Sequence, residues 1–253
     1  MIRMKWKAYN QLAWTDSILN CPEDYSEEVE KYISAIRNHS KRESKTMLHL
    51  GCGAGMYDYT FKKHFKVTGV DISRGMLKVA HSLNPDIRYK RGDMRSFRIA
   101  EAFDTVIIPD SIGYMLALQD LRKTVLNAGR LLKPGGVLLI VAHTQEEFQE
   151  NNFVYSGTKN GVHVTVFENN FILNSQKTNY EAAVTYVIRK KGHTRFYHEC
   201  HTIGLFPRAV WIDLFKGAGF EVNETKITDL YDRYLMEKGQ YTMSVFTCLK
   251  PLD

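Results

Sequence analysis

The spacing of apolar residues changes along the chain. At the start, Trp6, Tyr9, Leu12 and Ala13 recur at helical intervals until Cys21-Pro22 interrupts them. Asp24 stands three residues before Glu27 in a capping-box arrangement, and Val29, Tyr32, Ile33 and Ile36 form the apolar stripe of a second helix. From residue 46 onward, short apolar runs alternate with amphipathic stretches. Strands are predicted over 46–50, 67–71, 87–90, 103–109 and 136–142, with helices from the glycine loop to about 65, over 73–82 and over 120–132. Strands joined by helices imply βαβ units and a parallel sheet covered on both faces, an α/β, Rossmann-like, doubly wound fold.

Between about 152 and 203 the period drops to two. Val162, Val164 and Val166 alternate with His163, Thr165 and Phe167, Val184, Tyr186 and Ile188 alternate with polar neighbours, and Lys190-Lys191-Gly192 has the form of a hairpin turn. The pattern predicts an antiparallel β insertion laid over the sheet after its fifth strand. A helix over 207–216 then begins at a proline, and strands over 220–225 and 241–249 return to the core. The expected organisation is an N-terminal helical lid (1–45), a core (46–151), an insertion over the active site (152–203) and the C-terminal part of the core sheet (204–253).

Composition narrows the classes. Hydrophobic residues at 44% and charged residues at 25% argue against disorder. The longest apolar run, Val137 to Ala142, is far too short for a membrane-spanning helix, so no membrane partner is expected. Residues 1–7 lack the apolar core of a signal peptide. Cys21, Cys52, Cys200 and Cys248 are scattered without a C-x-x-C pair, which suggests neither a metal site nor a disulfide framework and fits a cytoplasmic setting. The net charge of +6 favours an anionic partner such as a nucleotide-linked substrate, but the basic residues are dispersed and no nucleic acid is expected. Oligomeric state stays open, a homodimer among the possibilities.

The strongest local signal is Leu48-His49-Leu50-Gly51-Cys52-Gly53-Ala54-Gly55. Glycines at the end of a first strand let the backbone turn sharply and approach a ligand. Position 56 is Met, so the dinucleotide pattern G-x-G-x-x-G is not met. Val70-Asp71-Ile72-Ser73 places a carboxylate at the end of the second strand, where it can accept from both ribose hydroxyls or cap a helix. Arg91-Gly92-Asp93-Met94 follows the third strand, and its Asp can accept from an adenine amino group or act as a turn carboxylate. Leu132-Lys133-Pro134-Gly135-Gly136-Val137 marks a helix end, a tight turn and a buried strand.

Together these pieces resemble the class I methyltransferases that use S-adenosylmethionine (SAM) and release S-adenosylhomocysteine (SAH). The resemblance implies a seven-stranded mixed sheet of order 3-2-1-4-5-7-6 with the last strand antiparallel. It implies that Gly51, Gly53 and Gly55 approach the methionine part of SAM and that Asp71 holds the ribose. Ile72, Met76, Asp93 and Met94 would surround the adenine, and the Pro109 carbonyl would face the SAM amino group. A finer similarity, carried by residues 92–97, Ser111-Ile112-Gly113-Tyr114 and residues 199–206, is to N-methyltransferases that dimethylate amino sugars linked to nucleotides. The chain departs from that branch at Ala142-His143, where those enzymes tend to carry Pro-Trp, and in having no Arg-Gly motif near Tyr231–Tyr241.

Methyl transfer needs a nucleophile in line with the sulfonium and water kept out, and a base only where the acceptor arrives protonated. Asp110 is the candidate partner of a cationic amine, and Tyr114, His143 and His201 are candidates to orient or deprotonate it. Tyr9 and Trp14 are candidate lid residues or anchors of the first segment. Alternatives are O-methylation of a small metabolite, SAM binding without transfer, a nucleic-acid methyltransferase and an NAD-dependent oxidoreductase.

Overall fold

The computed structural model describes residues 6–172, 178–228, 230–236 and 240–252. The opening Met-Ile-Arg-Met-Lys of the targeting argument, and part of the Arg-Gly region, lie outside them.

Seven strands build the central sheet: β1 (Thr46–Leu50), β2 (Lys66–Asp71), β3 (Arg88–Arg91), β4 (Phe103–Pro109), β5 (Leu132–Ala142), β10 (Glu221–Ile227) and β11 (Met243–Leu249). Their order is β10-β11-β5-β4-β1-β2-β3, with β11 antiparallel to both of its neighbours and the remaining pairs parallel. This is the 3-2-1-4-5-7-6 arrangement. The helices are α1 (Asp16–Leu19), α2 (Ser26–His39), α3 (Asp58–Phe61), α4 (Arg74–Leu83), α5 (Leu118–Leu131) and α6 (Arg208–Gly217). The sheet separates two cores, as a parallel sheet buried on both faces requires. Leu48, Leu50, Val106 and Ile140 pack toward α5 and α6 on one side, and Met47, Ile107, Leu139 and Val245 pack toward α2 on the other. No helix among the described residues is long and apolar enough to cross a membrane.

The insertion is a four-stranded antiparallel meander of β6 (Asn151–Lys159), β7 (Val162–Ile172), β8 (Asn179–Lys190) and β9 (His193–Gly204). Lys191 and Gly192 both have positive φ (48° and 78°), the signature of a two-residue type I′ hairpin, and Asn160-Gly161 repeats it between β6 and β7 (51° and 73°). Val162, Val164, Val166, Val184, Tyr186 and Ile188 pack against Ala8 and Leu12, so the N-terminal segment is sandwiched by the insertion's apolar face.

Three local expectations are corrected. The segment from Trp6 is not a helix; it runs through turns and a 3-10 turn (Ala13–Thr15) into the single turn of α1. Its N–H groups bond three or five residues back instead of four: Asn10 and Leu12 both donate to the Lys7 carbonyl, Ala13 to Asn10 and Thr15 to Leu12. The segment is tied down by Glu199, which accepts from the Lys7 and Ala8 N–H groups at 2.6 and 2.8 Å. No capping box forms: Asp24 lies inside the 3-10 turn Pro22–Tyr25 started by the proline, and Tyr25 enters α2 without a side-chain cap. The helix after the glycine loop ends at Phe61 rather than 65, because residues 63 and 64 bond three residues back instead of four.

Candidate active site

The carboxyl ends of β1, β2, β3 and β4 open onto one cavity of about 420 Å³. Gly51, Gly53, Asp71, Ile72, Met76, Asp93, Met94 and Pro109 all line it, so eight of the nine expected cofactor residues converge. Gly51 has φ +76°, and a Cβ there would come within 2.1 Å of Ser111 Oγ, so a side chain is refused on conformational and steric grounds alike. Asp71 ends β2, accepting from Gly53 N at 2.9 Å and Ser73 N at 2.7 Å. Burial raises its carboxyl above the usual range. Asp93 also faces the cavity, but its oxygens are taken up by Arg95 (2.6 Å to one nitrogen), which reaches on to Asp120 at 2.8 Å. It thus anchors its own turn, and the Arg95 hydrogen bond holds its carboxyl low.

Gly55 is corrected. It does not line the cavity; its φ of +75° and the 2.6 Å approach of a Cβ to Tyr89 Oη are reasons enough for glycine there. The glycine spacing alone does not tell a cavity-lining glycine from one required by its backbone and neighbours.

A second and a third cavity, about 230 and 490 Å³, adjoin the first, and Asp110 lines all three. Asp110 follows β4 with φ 62°, an uncommon conformation for a non-glycine residue. Its side chain is exposed to the cavities rather than buried in packing, yet it sits deep in the protein, and desolvation raises its carboxyl. No hydrogen bond or ion pair reaches that carboxylate among the described residues. Two further acids, not anticipated, share the space. Glu168 on β7 lines the second and third cavities, and Asp16 of α1 lines the first and second. Burial raises both, Asp16 to about 6. Tyr155, Tyr180 and Tyr241 complete the walls.

The other catalytic candidates separate. Tyr114 Oη bonds to His201 Nδ1 at 3.0 Å and to the Tyr9 hydroxyl. Trp6 stacks on His201 with ring centroids 4.8 Å apart. His201 Nε2 lies 3.1 Å from Glu199 Oε1 without an aligned hydrogen bond. The Glu199 carboxylate is turned instead to the Lys7 and Ala8 backbone N–H groups. His143 does not join them. It lines none of the three cavities; its Nδ1 donates to the Thr242 carbonyl at 3.1 Å and its Nε2 accepts from Tyr241 Oη at 2.7 Å. Trp14 is 42% exposed and also lies off the cavities, whereas Trp6 and Tyr9 line them.

Burial lowers the pKa of His143 from 6.5 to about 4. A depressed folded value means its contribution to stability is intact above about 6.5 and is lost as pH falls toward 4. His143→Asn is expected to lower Tm by a few degrees at neutral pH, to reduce that acid-side loss, and to keep methyl transfer. Thermal melts over this pH range, with SAH release measured alongside, check it.

Comparison with known proteins agrees with this geometry. Residues 47–136 match the model of a methyltransferase domain. The dTDP-3-amino-3,4,6-trideoxy-alpha-D-glucopyranose N,N-dimethyltransferase of Streptomyces venezuelae is 28% identical over 202 residues, 79% of this chain and 84% of that enzyme. The dTDP-3-amino-3,6-dideoxy-alpha-D-glucopyranose N,N-dimethyltransferase of Streptomyces fradiae is 27% identical over 202 residues, 79% of this chain and 78% of that one. Among solved structures, the sugar N-methyltransferase KedS8 from Streptoalloteichus superposes with a TM-score of 0.78 at 19% identity, covering 95% of this chain and 92% of its own. The chain carries a class I methyltransferase domain and is a SAM-dependent methyltransferase.

Proposed function

We propose that the enzyme N-methylates a small-molecule acceptor, the amino group of a nucleotide-linked sugar, and that it does so twice. The observation that carries this reading is the convergence of Asp110, Glu168 and Asp16 on a tyrosine-lined space beside the cofactor cavity. Carboxylates held in low dielectric attract a cationic amine, and the faces of Tyr155, Tyr180 and Tyr241 suit an ammonium that gains methyl groups. When bound, SAM supplies a methyl group already activated by its sulfonium. Gly51, Gly53, Asp71, Ile72 and Met94 would hold the adenosine and orient that methyl. The acceptor amine must shed a proton to expose its lone pair. The Tyr114–His201 pair, 3.0 Å apart, is suited to receive it, with Glu199 behind His201. Trp6 and Tyr9, latched by Glu199, would exclude water as a lid. The named sugar substrates of the two Streptomyces relatives point to the same class of acceptor.

The acidic lining sets where a diphosphate can go. Arg233 is the one Lys or Arg among the described residues lining the second and third cavities, so the amine belongs inside and the phosphates at the Arg233 side. The same lining repels a polynucleotide. Arg233→Ala is expected to raise KM for a nucleotide-linked acceptor roughly tenfold with little change in kcat, as loss of a uniform binding contact does. The function itself is tested by SAH release with paired acceptors differing only in an amino or hydroxyl group on the sugar. Turnover confined to the amine supports N-methylation; turnover confined to the hydroxyl compound overturns it.

A further inference from the structure

We infer that Asn20 fixes the acceptor amine for the first of the two methyl transfers, its side-chain carbonyl taking one N–H of the amine while Asp110 takes another. The inference rests on the reading of the enzyme as one that methylates an amine twice, and deepens it.

Asn20 directly follows α1 and precedes Cys21-Pro22. Among the described residues, it and Asp110 are the two that line all three cavities. They therefore border the place where the cofactor cavity meets the acceptor space. The Asn20 amide is held from both ends: its Nδ2 donates to Asp16 Oδ1 at 2.7 Å, and its Oδ1 accepts from Tyr25 Oη at 2.8 Å. The Asp16 carboxylate, an acceptor, decides which end of the amide carries the nitrogen. The backbone is tied as well, with Asn20 N donating to the Asp16 carbonyl at 2.9 Å. An asparagine side chain has two N–H groups and two carbonyl lone pairs. One of each is spent on these neighbours, and no other hydrogen bond reaches the amide among the described residues. Partly buried at the wall of the shared space, Oδ1 keeps one lone pair for a ligand.

That lone pair and the unpaired carboxylate of Asp110 have the same requirement, an N–H donor. A primary ammonium brings three N–H bonds. With two of them pinned, the direction of the third is fixed, and its proton passes to the Tyr114–His201 pair. The nitrogen lone pair left behind lies along that direction, as in-line transfer requires. It forms the new N–C bond as the S–CH3 bond breaks. Sulfur keeps the electron pair of that bond, and the products are SAH and a secondary ammonium with two N–H bonds. For the second transfer, with fresh SAM, the amine turns about its C–N bond and gives up another proton. One N–H then remains to be held. The charged acceptor makes the stronger bond, so Asp110 keeps that N–H and the first methyl takes the place facing Asn20. Asn20 therefore contributes to the first transfer and not to the second.

The test is the initial rate of SAH release at saturating SAM with two acceptors, a nucleotide-linked sugar carrying a primary amine and its N-monomethyl counterpart. Asn20→Ala is expected to lower kcat/KM for the primary amine roughly tenfold, the cost of one hydrogen bond to a charged group, while kcat/KM for the monomethyl amine changes by less than about twofold. Equal loss with both acceptors, as a residue that only supports α1 and Tyr25 would give, overturns the inference, and so does loss with neither. If the unsubstituted enzyme methylates neither acceptor, the N-methylation reading fails with it; if it methylates both and the split is absent, only the role of Asn20 fails. A second measurement needs no variant. In the SAH-saturated enzyme, the NMR signal of the Asn20 side-chain amide should move when the primary amine is added and stay when the N,N-dimethyl product is added, since the single N–H of that product belongs to Asp110. A signal unmoved by the primary amine, or moved equally by both compounds, contradicts the assignment.

Discussion

Asp110→Asn is expected to lower kcat/KM for an amine acceptor roughly a hundredfold or more, because removing one partner of a desolvated ion pair costs about 2–5 kcal/mol. SAH affinity should change less, since Asp110 is shared between the cavity assigned to SAM and the two beside it assigned to the acceptor. Asparagine tolerates positive φ better than most residues, so the backbone at 62° is kept and the experiment isolates the charge. The pH behaviour has two parts. Burial raises the Asp110 carboxyl, so the charge needed for amine capture is lost as pH falls through that raised value, and the acid limb of the rate profile should flatten in the variant. For stability the sign is reversed. A folded pKa above the unfolded one favours the ligand-free fold at low pH, and that advantage disappears as pH rises through the folded value. Asp110→Asn should therefore raise Tm of the ligand-free enzyme on the alkaline side. Steady-state kinetics, SAH calorimetry and melts against pH measure all three.

The second large effect is expected at Asp71. Its two oxygens already accept from Gly53 and Ser73, which sets the carboxylate toward the cavity with lone pairs to spare for a ribose diol. Asp71→Ala removes two charge-assisted hydrogen bonds to the ligand, each worth about 1.5–3 kcal/mol, so SAH should bind roughly a hundred- to ten-thousandfold more weakly. It also frees the Gly53 N–H and loosens the glycine turn. Asp71→Asn, which keeps the shape and one acceptor, should fall between. Calorimetry with SAH and with adenosine should show similar relative losses, because the ribose is common to both; a loss seen with SAH alone would shift Asp71 to the methionyl end.

The parallel core was legible because each of its signals is local. The Gly51–Gly55 turn, the acid at the end of β2 and the alternation of strand and helix follow from short-range periodicity and φ demands. The insertion was legible for the same reason, down to the Lys191-Gly192 turn. What escaped depends on tertiary contact. Residues 6–13 have helical spacing, but their N–H groups bond three or five residues back, and Glu199 of β9 pins the segment; no local pattern reveals a partner so distant in sequence. His143 is a catalytic candidate in sequence because it directly follows β5, yet the Thr242 carbonyl and Tyr241 hold its ring away from the cavities. One missed residue did leave a trace. Glu168 continues the register of Val162, Val164 and Val166, and a carboxylate on the buried face of a strand is a mark of function. Tyr180, in step with Ala182 and Val184, carries the same trace more faintly. Asp16 has none, because its place is set by the irregular N-terminal segment.

A crystal structure with SAH bound would test the central claim most directly. The adenosine should lie against Asp71, Ile72 and Met94, with the sulfur turned toward the space shared by Asp110 and Glu168. A sulfur pointing away from those acids, or a nucleoside seated outside the glycine turn, would contradict the account.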